Sequence, residues 1–170
     1  MPKVFITGQS GSGKTTVLTE LERRGYTTYN TDDILGVTRL ELQETGKPVA
    51  WPKGYVDWTK YTWNWQDSEL RKLLDQESTL FVGAVVGNQA NYYHLFDYLF
   101  VLTIDDNELR KRRLNRNEHR YNDGHKNVEE SVTRNRENTA AFIAAGAIPI
   151  AANRPVSEVA DEILTIISKG

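Results

Sequence analysis

The sequence predicts an α/β domain in which helices cover both faces of a five-stranded parallel sheet. Two observations predict this fold class. Apolar runs of strand length alternate along the chain with segments of helical periodicity, an order typical of parallel sheets with right-handed crossovers. A glycine-rich segment, residues 8–15, also joins the first strand directly to the first helix. The 170 residues suffice for one domain with a sizeable core, so we expect a single domain over residues 1–170.

Five segments are predicted to be strands. Each is short, rich in β-branched and other apolar residues, and bounded by glycine or polar residues. Residues 79–86 (TLFVGAVV) are apolar throughout, which is typical of a central parallel strand covered on both faces. The predicted strands are residues 3–7, 26–29, 79–86, 98–104 and 147–151.

Six segments are predicted to be helices. Apolar residues in the first recur at helical spacing, and Gly25 ends it, as Gly146 ends a later one. The segment 107–117 is strongly basic, and the polar, glycine-containing stretch 118–126 (EHRYNDGHK) follows it. The predicted helices are residues 15–24, 32–43, 66–76, 107–117, 128–145 and 156–168.

The segment 45–65 differs from the rest of the chain. It carries two prolines, glycines and six aromatic residues, so it is too aromatic for disorder and too broken for one long helix. We predict an insertion over about residues 45–65. Trp51, Trp58 and Tyr61 are candidates to stack on a flat substrate. The alternative is a small aromatic subcore, which is favoured for Trp63 and Trp65 because they lead straight into a helix.

The composition excludes several classes of function. A formal net charge of −2 argues against stable nucleic-acid binding. The chain has no cysteine and only three scattered histidines, which excludes disulfides and thiolate metal sites. No apolar run approaches membrane-spanning length and no signal peptide is recognisable. We therefore expect a cytoplasmic protein, a monomer or a homodimer, with small-molecule partners.

The segment GQSGSGKT, residues 8–15, has the spacing G-x-x-x-x-G-K-[ST]. Its glycines allow successive N–H groups to point at phosphate oxygens, and the helix that follows adds partial positive charge at the same point. Lys14 is predicted to reach the β- and γ-phosphates and Thr15 to ligate Mg²⁺. A glycine-rich surface turn is the alternative. The residues predicted to bind the nucleotide here are Gly8, Gln9, Ser10, Gly11, Ser12, Gly13, Lys14, Thr15 and Thr16.

Other features narrow the class of nucleotide-binding protein. The [NT]-K-x-D segment that reads guanine in GTPases is missing from the sequence, and 170 residues leave little room for a transporter-type ATPase. A small kinase remains. Asp32 and Asp33 follow the second strand, at the edge of the sheet that faces a ligand. Asp32 is predicted to orient or deprotonate an acceptor hydroxyl or to hold Mg²⁺ through water; helix capping is the alternative for both aspartates, and it is favoured for Asp33.

Two groups of arginines could supply positive charge to the site. Arg112 and Arg116 lie four residues apart on one helix face, where they could close over the triphosphate; a solvated basic face is the alternative. Arg134 and Arg136 follow the polar stretch, and either could reach an anionic acceptor. Ordinary pairing with glutamates of the same helix is the alternative for this second group.

Together these motifs resemble a known family. The order GxxxxGKTT, two aspartates after the second strand, then LxxRxxxR before a polar stretch resembles the nucleoside-monophosphate kinase and shikimate kinase group of P-loop kinases. The stretches WNWQD (63–67), FVGAVVGNQ (81–89) and LFDYLFVL (95–102) are similar to uncharacterised bacterial members of this group. The resemblance covers nearly the whole chain. It implies a P-loop NTPase fold with strand order 2-3-1-4-5 and a lid over about residues 117–127.

The resemblance also implies roles for particular residues. Asp32 would be the acceptor-side carboxylate, in an Asn-x-Asp where shikimate kinases have Asp-x-Asp, so Asn30 replaces an aspartate and makes shikimate itself a doubtful acceptor. Arg112 would lie along adenine or phosphate, and Arg116 with Arg120 would belong to the lid. Adenine would be flanked by Asn153, Arg154 and Pro155.

The acceptor side is less well defined by the resemblance. Arg134 or Arg136 would clamp the substrate, and Arg136 has the better spacing. Gly83 and Gly87, with Asn88 and Gln89, would border the acceptor pocket, where glycine lets a ligand approach the backbone. An arginine that is usual near this point for anionic acceptors is missing. Asp105 could be a magnesium ligand, but an N-cap of the basic helix is favoured.

These observations predict an ATP- and Mg²⁺-dependent kinase that phosphorylates a hydroxyl or phosphate of a small molecule. Its catalytic residues would be Lys14, Asp32, Arg112 and Arg116. Asp33, Gly83, Gly87, Arg136 and Trp58 would contact the acceptor together with Asp32. A nucleoside or nucleoside-monophosphate kinase is the narrower alternative. A nucleotide-binding regulatory module with little turnover is the alternative from another class.

Overall fold

A computed structural model describes residues 1–54, 56–115 and 125–170, except for the side chains of 125–127. The strands are β1 (Lys3–Thr7), β2 (Thr27–Asn30), β3 (Thr38–Leu42), β4 (Tyr61–Trp65), β5 (Leu80–Gly83), β6 (Tyr98–Thr103) and β7 (Ile148–Ala151). The helices are α1 (Lys14–Arg23), α2 (Asp67–Leu74), α3 (Asp106–Asn115), α4 (His125–Ala144) and α5 (Val156–Lys169). Two short 3-10 helices span Thr31–Asp33 and Gln89–Leu95.

Five of the strands form one parallel sheet in the order β2-β5-β1-β6-β7. Counted among these five strands alone, this is the order 2-3-1-4-5. The predicted α/β fold class is therefore confirmed. Since β1 lies in the middle of the sheet, the loop that follows it opens at the centre of the carboxyl edge, which is where ligands bind in open parallel sheets.

The two faces of the sheet carry separate cores. On one face α1 and α5 pack over β-strand residues, and Val4, Ile6, Leu21, Phe100 and Ile163 are fully buried there. The opposite face buries a second cluster that draws on α2, the hairpin β3–β4 and the 3-10 helix Gln89–Leu95. Its buried aromatic members are Phe5, Trp65, Tyr92 and Phe96. Alternate residues of β1 thus point to opposite layers, as the period of a strand requires.

The prediction of a helix over residues 32–43 is wrong. The chain forms a single 3-10 turn at Thr31–Asp33 and then β3, which pairs antiparallel with β4 from Thr38↔Trp65 to Leu42↔Tyr61. Gly36 lies between them at a φ of 89°, a conformation that interrupts a helix. The pairing partner lies in the aromatic segment, about 20 residues away, so helical periodicity within 32–43 alone was misleading.

The hairpin β3–β4 forms a separate two-stranded sheet at the carboxyl edge of the main sheet. The segment predicted to be an insertion, residues 45–65, thus supplies β4, and its partner β3 precedes that segment. Trp65 at the end of β4 is 2 % exposed and contacts Phe5, Tyr92 and Phe96, which anchors the hairpin to the core. Its interpretation as a packing residue agrees with this position.

Most of the segment predicted to be a lid, residues 117–127, lies outside the described residues, as do Arg116 and Arg120. Within the described part of the chain, no helix is long and apolar enough to span a bilayer.

Candidate active site

The loop between β1 and α1 has a backbone that only glycine adopts easily. Gly8, Gly11 and Gly13 have φ values of 150°, 91° and 99°. A Cβ on Gly8 would lie 2.6 Å from Ser12 Oγ and 3.1 Å from the Leu102 carbonyl oxygen, so space also requires glycine there. The Ser12 amide donates to the Gln9 carbonyl at 2.9 Å, which closes the turn. The loop therefore curls over the first turn of α1 as the sequence motif predicts.

The side chains of this loop fit a bound triphosphate. Lys14 Nζ donates to the carbonyl oxygens of Gly8 and, at 3.4 Å, Gln9, so the ammonium lies back over the loop. Ser12 Oγ is fully buried and has no hydrogen-bond partner among the described residues. A buried hydroxyl in a native fold normally has a partner, and a phosphate oxygen would supply one. Thr15 lies at the first turn of α1 and borders the same cleft.

Two neighbouring arginines of α3 contact the loop through different atoms. Arg113 is 9 % exposed, donates from Nη1 to Ser10 Oγ at 3.1 Å and borders the cleft. Arg112 donates to the carbonyl oxygens of Gly11 and Ala152, both at 3.3 Å, and pairs with Glu108 at 3.0 Å. Arg112 thus ties the loop to the segment after β7, whereas Arg113 brings a guanidinium to the cleft.

The carboxylates after β2 lie at the same edge of the sheet. Asp32 Oδ1 accepts a hydrogen bond of 2.9 Å from Trp63 Nε1. Asp33 Oδ2 accepts one of 2.9 Å from Asn30 Nδ2, which also lies 3.4 Å from Thr15 Oγ1. Asn30 therefore connects the first turn of α1 to Asp33. The two carboxylates are held by different partners, one from the hairpin and one from β2.

Three tryptophans form a wall of the cleft, and we call Trp51, Trp58 and Trp63 the tryptophan wall. Trp51 meets Trp58 edge-on at 6.3 Å between ring centroids and 74°, and meets Trp63 at 5.5 Å and 85°. All three border the cleft. Gln43 Nε2 donates to the Trp58 carbonyl at 2.7 Å and so helps to fix the segment that carries that ring.

The two glycines at the end of β5 have different roles. A Cβ on Gly83 would lie 2.5 Å from Leu18 Cδ1, so this glycine permits close packing of α1 on the sheet; it is buried and does not border the cleft. Gly83 was expected to contact the acceptor, but a side chain at this position would point into the core. Gly87 borders the cleft and donates to the Trp63 carbonyl at 2.7 Å, where β4 crosses close to its backbone.

Helix α4 forms the remaining wall and separates the two candidate clamping arginines. Arg134 borders the cleft and forms no ion pair with any described residue. Arg136 lies outside the cleft lining and pairs with Asp106 of α3, and this hydrogen bond raises the pKa of the Arg136 guanidinium. The structure therefore places Arg134 at the cleft, although the spacing favoured Arg136.

These elements enclose one continuous cleft of about 920 Å³. The phosphate loop, the end of β2, the hairpin, the end of β5, α3 and α4 all contribute to it. Lys14 and Arg113 therefore face the same space as Asp32 and the tryptophan wall. The volume lies at the upper end of what small-molecule sites occupy and exceeds that of most single ligands.

The sequence model of the AAA domain family matches residues 4–137, which include the phosphate loop, the hairpin, the end of β5 and all three arginines of α3. The chain belongs to this AAA domain family. No protein of curated function matches the sequence significantly.

Three solved structures are similar in fold to this AAA domain protein over nearly its whole length. A shikimate kinase from Acinetobacter baumannii in complex with shikimate matches with a TM-score of 0.62 at 17 % identity, over 99 % of this chain and 94 % of that one. A gluconokinase from Sinorhizobium meliloti matches with a TM-score of 0.59 at 16 % identity, over 99 % and 92 %. A deoxyadenosine kinase from M. mycoides with bound dATP matches with 0.59 at 14 %, over 98 % and 99 %. The fold that the sequence resemblance implied is confirmed.

The other predicted residues of this AAA domain protein lie beside the cleft rather than in it. Asp105 Oδ1 accepts the Glu108 amide at 2.8 Å and Asp105 Oδ2 contacts Asn153, so Asp105 caps α3 as the favoured interpretation has it. Arg154 pairs with Glu162 and donates to the Ala151 carbonyl at 2.8 Å. Pro155 precedes the first turn of α5. Contact of Arg154 and Pro155 with adenine stays a prediction.

The structure brings two residues to the cleft that the sequence motifs did not assign to it, Arg113 and Trp63. Trp63 was expected in an aromatic subcore, and Arg113 directly follows the predicted Arg112. Gln89 is 3 % exposed, accepts the Val86 amide at 3.0 Å and donates to the Tyr93 hydroxyl at 3.0 Å. The resemblance implied that Gln89 borders the acceptor pocket, and Gln89 does border the cleft. Polar residues directly after an apolar strand lie at the ligand edge of a sheet.

Proposed function

We propose that this protein is an ATP-dependent kinase that transfers the γ-phosphoryl group to a small-molecule acceptor. One observation carries the proposal: the phosphate loop and the carboxylates after β2 border one continuous cleft. A site that only held a nucleotide would have no need of a second compartment with its own carboxylates and aromatic wall. The likeness in fold to three small-molecule kinases agrees with this proposal.

One end of the cleft binds the nucleotide, and the other end binds and orients the acceptor. The loop amides, Lys14 and Arg113 hold the triphosphate and neutralise charge that develops on it. Asp32 orients the acceptor hydroxyl and takes its proton. The acceptor oxygen forms a bond to the γ-phosphorus while the bond to the bridging oxygen breaks, and ADP leaves with that electron pair. Positioning and charge neutralisation supply most of the rate enhancement.

Mg²⁺ fits the same end of the cleft, and the donors available to it are oxygens. Among the described residues, no three histidine, aspartate or glutamate side chains gather as a metal site, so the Thr15 hydroxyl is the proposed protein ligand. Asp32 and Asp33 would hold its water ligands. When bound, Mg²⁺ neutralises charge on the β- and γ-phosphate oxygens.

The test is acceptor-dependent release of ADP over a metabolite library, with Lys14→Ala and Lys72→Ala compared with the unchanged protein. Lys72 is an exposed lysine of α2 that pairs with Glu69, so it serves as a matched control. We expect at least one acceptor to stimulate release, Lys14→Ala to abolish it and Lys72→Ala to preserve it. ATP binding that no acceptor converts into ADP release would instead support a regulatory module.

A further inference from the structure

We propose that the acceptor is an uncharged, hydroxylated ring that lies against the tryptophan wall, and not an acid or a phosphate ester. This inference rests on the proposed function and names the substrate class for the same cleft. Three properties of the acceptor end carry it: the shape of the aromatic wall, the sign of the charges beside it and the kind of hydrogen-bonding groups that face it.

The tryptophan wall offers ring faces and is held in place. Trp58 and Trp63 each meet Trp51 edge-on, so the three rings brace one another at fixed angles. Trp63 is also fixed by its hydrogen bond to Asp32. A ring stacked on Trp63 would therefore lie close to Asp32, the carboxylate that we propose takes the hydroxyl proton.

The charges at this end disfavour an anion. The cleft-lining residues described from the end of β2, the hairpin and the end of β5 include two charged side chains, Asp32 and Asp33, both negative. The cations that border the cleft lie elsewhere: Lys14 in the phosphate loop, Arg113 on α3 and Arg134 on α4. An acidic acceptor would meet like charge, and like-charge contacts are an effective way to reject a ligand.

Arg134 borders the cleft from α4, a helix that packs beside the phosphate loop. Val132, two residues earlier on α4, packs in one cluster with Leu109 of α3. Leu109 Cδ1 in turn lies 3.2 Å from the position of a Cβ on Gly11, so this part of α4 lies beside the phosphate loop. Arg134 reaches the cleft from α4, whereas the tryptophan wall and the segments that carry it contribute no cation to the described lining.

Apart from Asp32 and Asp33, the described polar side chains that line the acceptor end are neutral. Gln89 donates to the Tyr93 hydroxyl, which leaves that hydroxyl its own proton to donate, and both residues border the cleft. Thr62 of β4 adds a second hydroxyl to the lining. Hydroxyls and amides of this kind match the hydroxyls of a ring, because each can donate or accept. Two classes of compound present such a ring: nucleosides, with a base and a ribose, and sugars.

Matched pairs of compounds that differ in one charged group test this inference. A nucleoside is compared with its 5′-monophosphate, and a hexose with the corresponding hexonic acid, across several members of each class. Binding is followed by quenching of tryptophan fluorescence with a non-hydrolysable ATP analogue present, and turnover by ADP release with ATP. We expect an uncharged member to bind at least tenfold more tightly than its anion and to be the one that is phosphorylated.

Variants of Trp58 link that binding to the wall. Trp58→Ala should weaken binding of the uncharged acceptor at least tenfold and leave ATP affinity unchanged. Trp58→Phe keeps a flat ring, so it should retain most of the affinity that Trp58→Ala loses. ADP release stimulated by the anions alone would overturn this inference while the kinase proposal stands. ATP binding without release from any compound would overturn the kinase proposal. Failure of every uncharged compound to quench fluorescence would overturn this inference as well.

Discussion

Trp63 Nε1 donates a hydrogen bond of 2.9 Å to Asp32 Oδ1, across 31 positions of sequence. The donor lies in β4 of the inserted hairpin and the acceptor follows β2 of the main sheet. The hairpin thereby holds one oxygen of a carboxylate that borders the cleft. This hydrogen bond couples the position of the hairpin to the group that we propose as the base.

Replacing Trp63 by phenylalanine removes this donor and keeps an aromatic ring in the wall. Hydrogen bonds to charged groups contribute about 1.5–3 kcal/mol, so we expect kcat to fall roughly tenfold or more while ATP affinity is unchanged. The measurement is a double-mutant cycle of Trp63→Phe with Asp32→Asn. If Trp63 acts through Asp32, the double variant is no slower than Asp32→Asn alone, whereas additive losses would show that the two residues act separately.

Arg134 and Arg136 form a matched pair, two residues apart on α4. Arg134→Ala removes a cation from the cleft and should lower kcat/KM by about 100-fold, a magnitude typical of a lost charge-stabilising group. Arg136→Ala removes a surface pair with Asp106, which is expected to cost little stability and no activity. Steady-state kinetics and thermal melts of both variants check this. An activity loss in Arg136→Ala larger than that in Arg134→Ala would restore the original assignment from the sequence.

Gly83→Ala distinguishes packing from ligand contact at the end of β5. The added methyl would lie 2.5 Å from Leu18 Cδ1, so the Leu18 side chain or α1 must shift, and overpacking of this kind costs about 1–3 kcal/mol. Urea denaturation should show that loss in the free energy of unfolding. Adding Leu18→Ala should cost less in the Gly83→Ala background than in the unchanged protein. A weaker acceptor KM without loss of stability would instead indicate that Gly83 contacts the acceptor.

Ionisation of Glu20 is expected to make the stability of the folded protein depend on pH. Hydrogen bonds from Arg23 and Arg24 lower the pKa of Glu20 from 4.5 to about 2, and Arg24 also pairs with Asp161 of α5. A pKa lowered by folding means that the stabilisation is complete above about pH 4.5 and is lost as the pH falls toward 2. Glu20→Gln should therefore lower Tm at pH 7, and the difference from the unchanged protein should shrink below pH 4.5.

The control is Glu22→Gln, two positions along the same helix at an exposed site. Its Tm should stay close to that of the unchanged protein throughout the titration. A Tm difference for Glu20→Gln that stays constant from pH 7 to pH 3 would contradict the proposed pairing of Glu20 with the two arginines.

Features that depend on neighbours in sequence could be predicted without the structure. The conformations of Gly8, Gly11 and Gly13 follow from a spacing that allows one kind of turn between a strand and a helix. The five strands of the main sheet follow from short apolar runs, although the strand predicted to reach Val86 ends at Gly83. The cap at Asp105 follows from its place at the start of a helix.

The errors arose where an element depends on a distant partner. The segment 32–43 contains apolar residues that satisfy a helical pattern, yet β3 forms because β4 lies beside it and pairs with it. Local propensity is a weak term that pairing across a hairpin readily overrides. The same reason explains Trp63, whose indole was expected in a core and instead reaches the carboxylate of Asp32.

The sequence by itself determined the phosphate loop, the parallel sheet and the presence of carboxylates and arginines near one edge of it. Only the tertiary structure decided which of those side chains share the cleft. Arg113 rather than Arg112, and Arg134 rather than Arg136, border it. The physical reason is that the spacing along a helix gives a residue's face relative to its neighbours, whereas the direction of that face is set when the helix packs against elements far away in sequence.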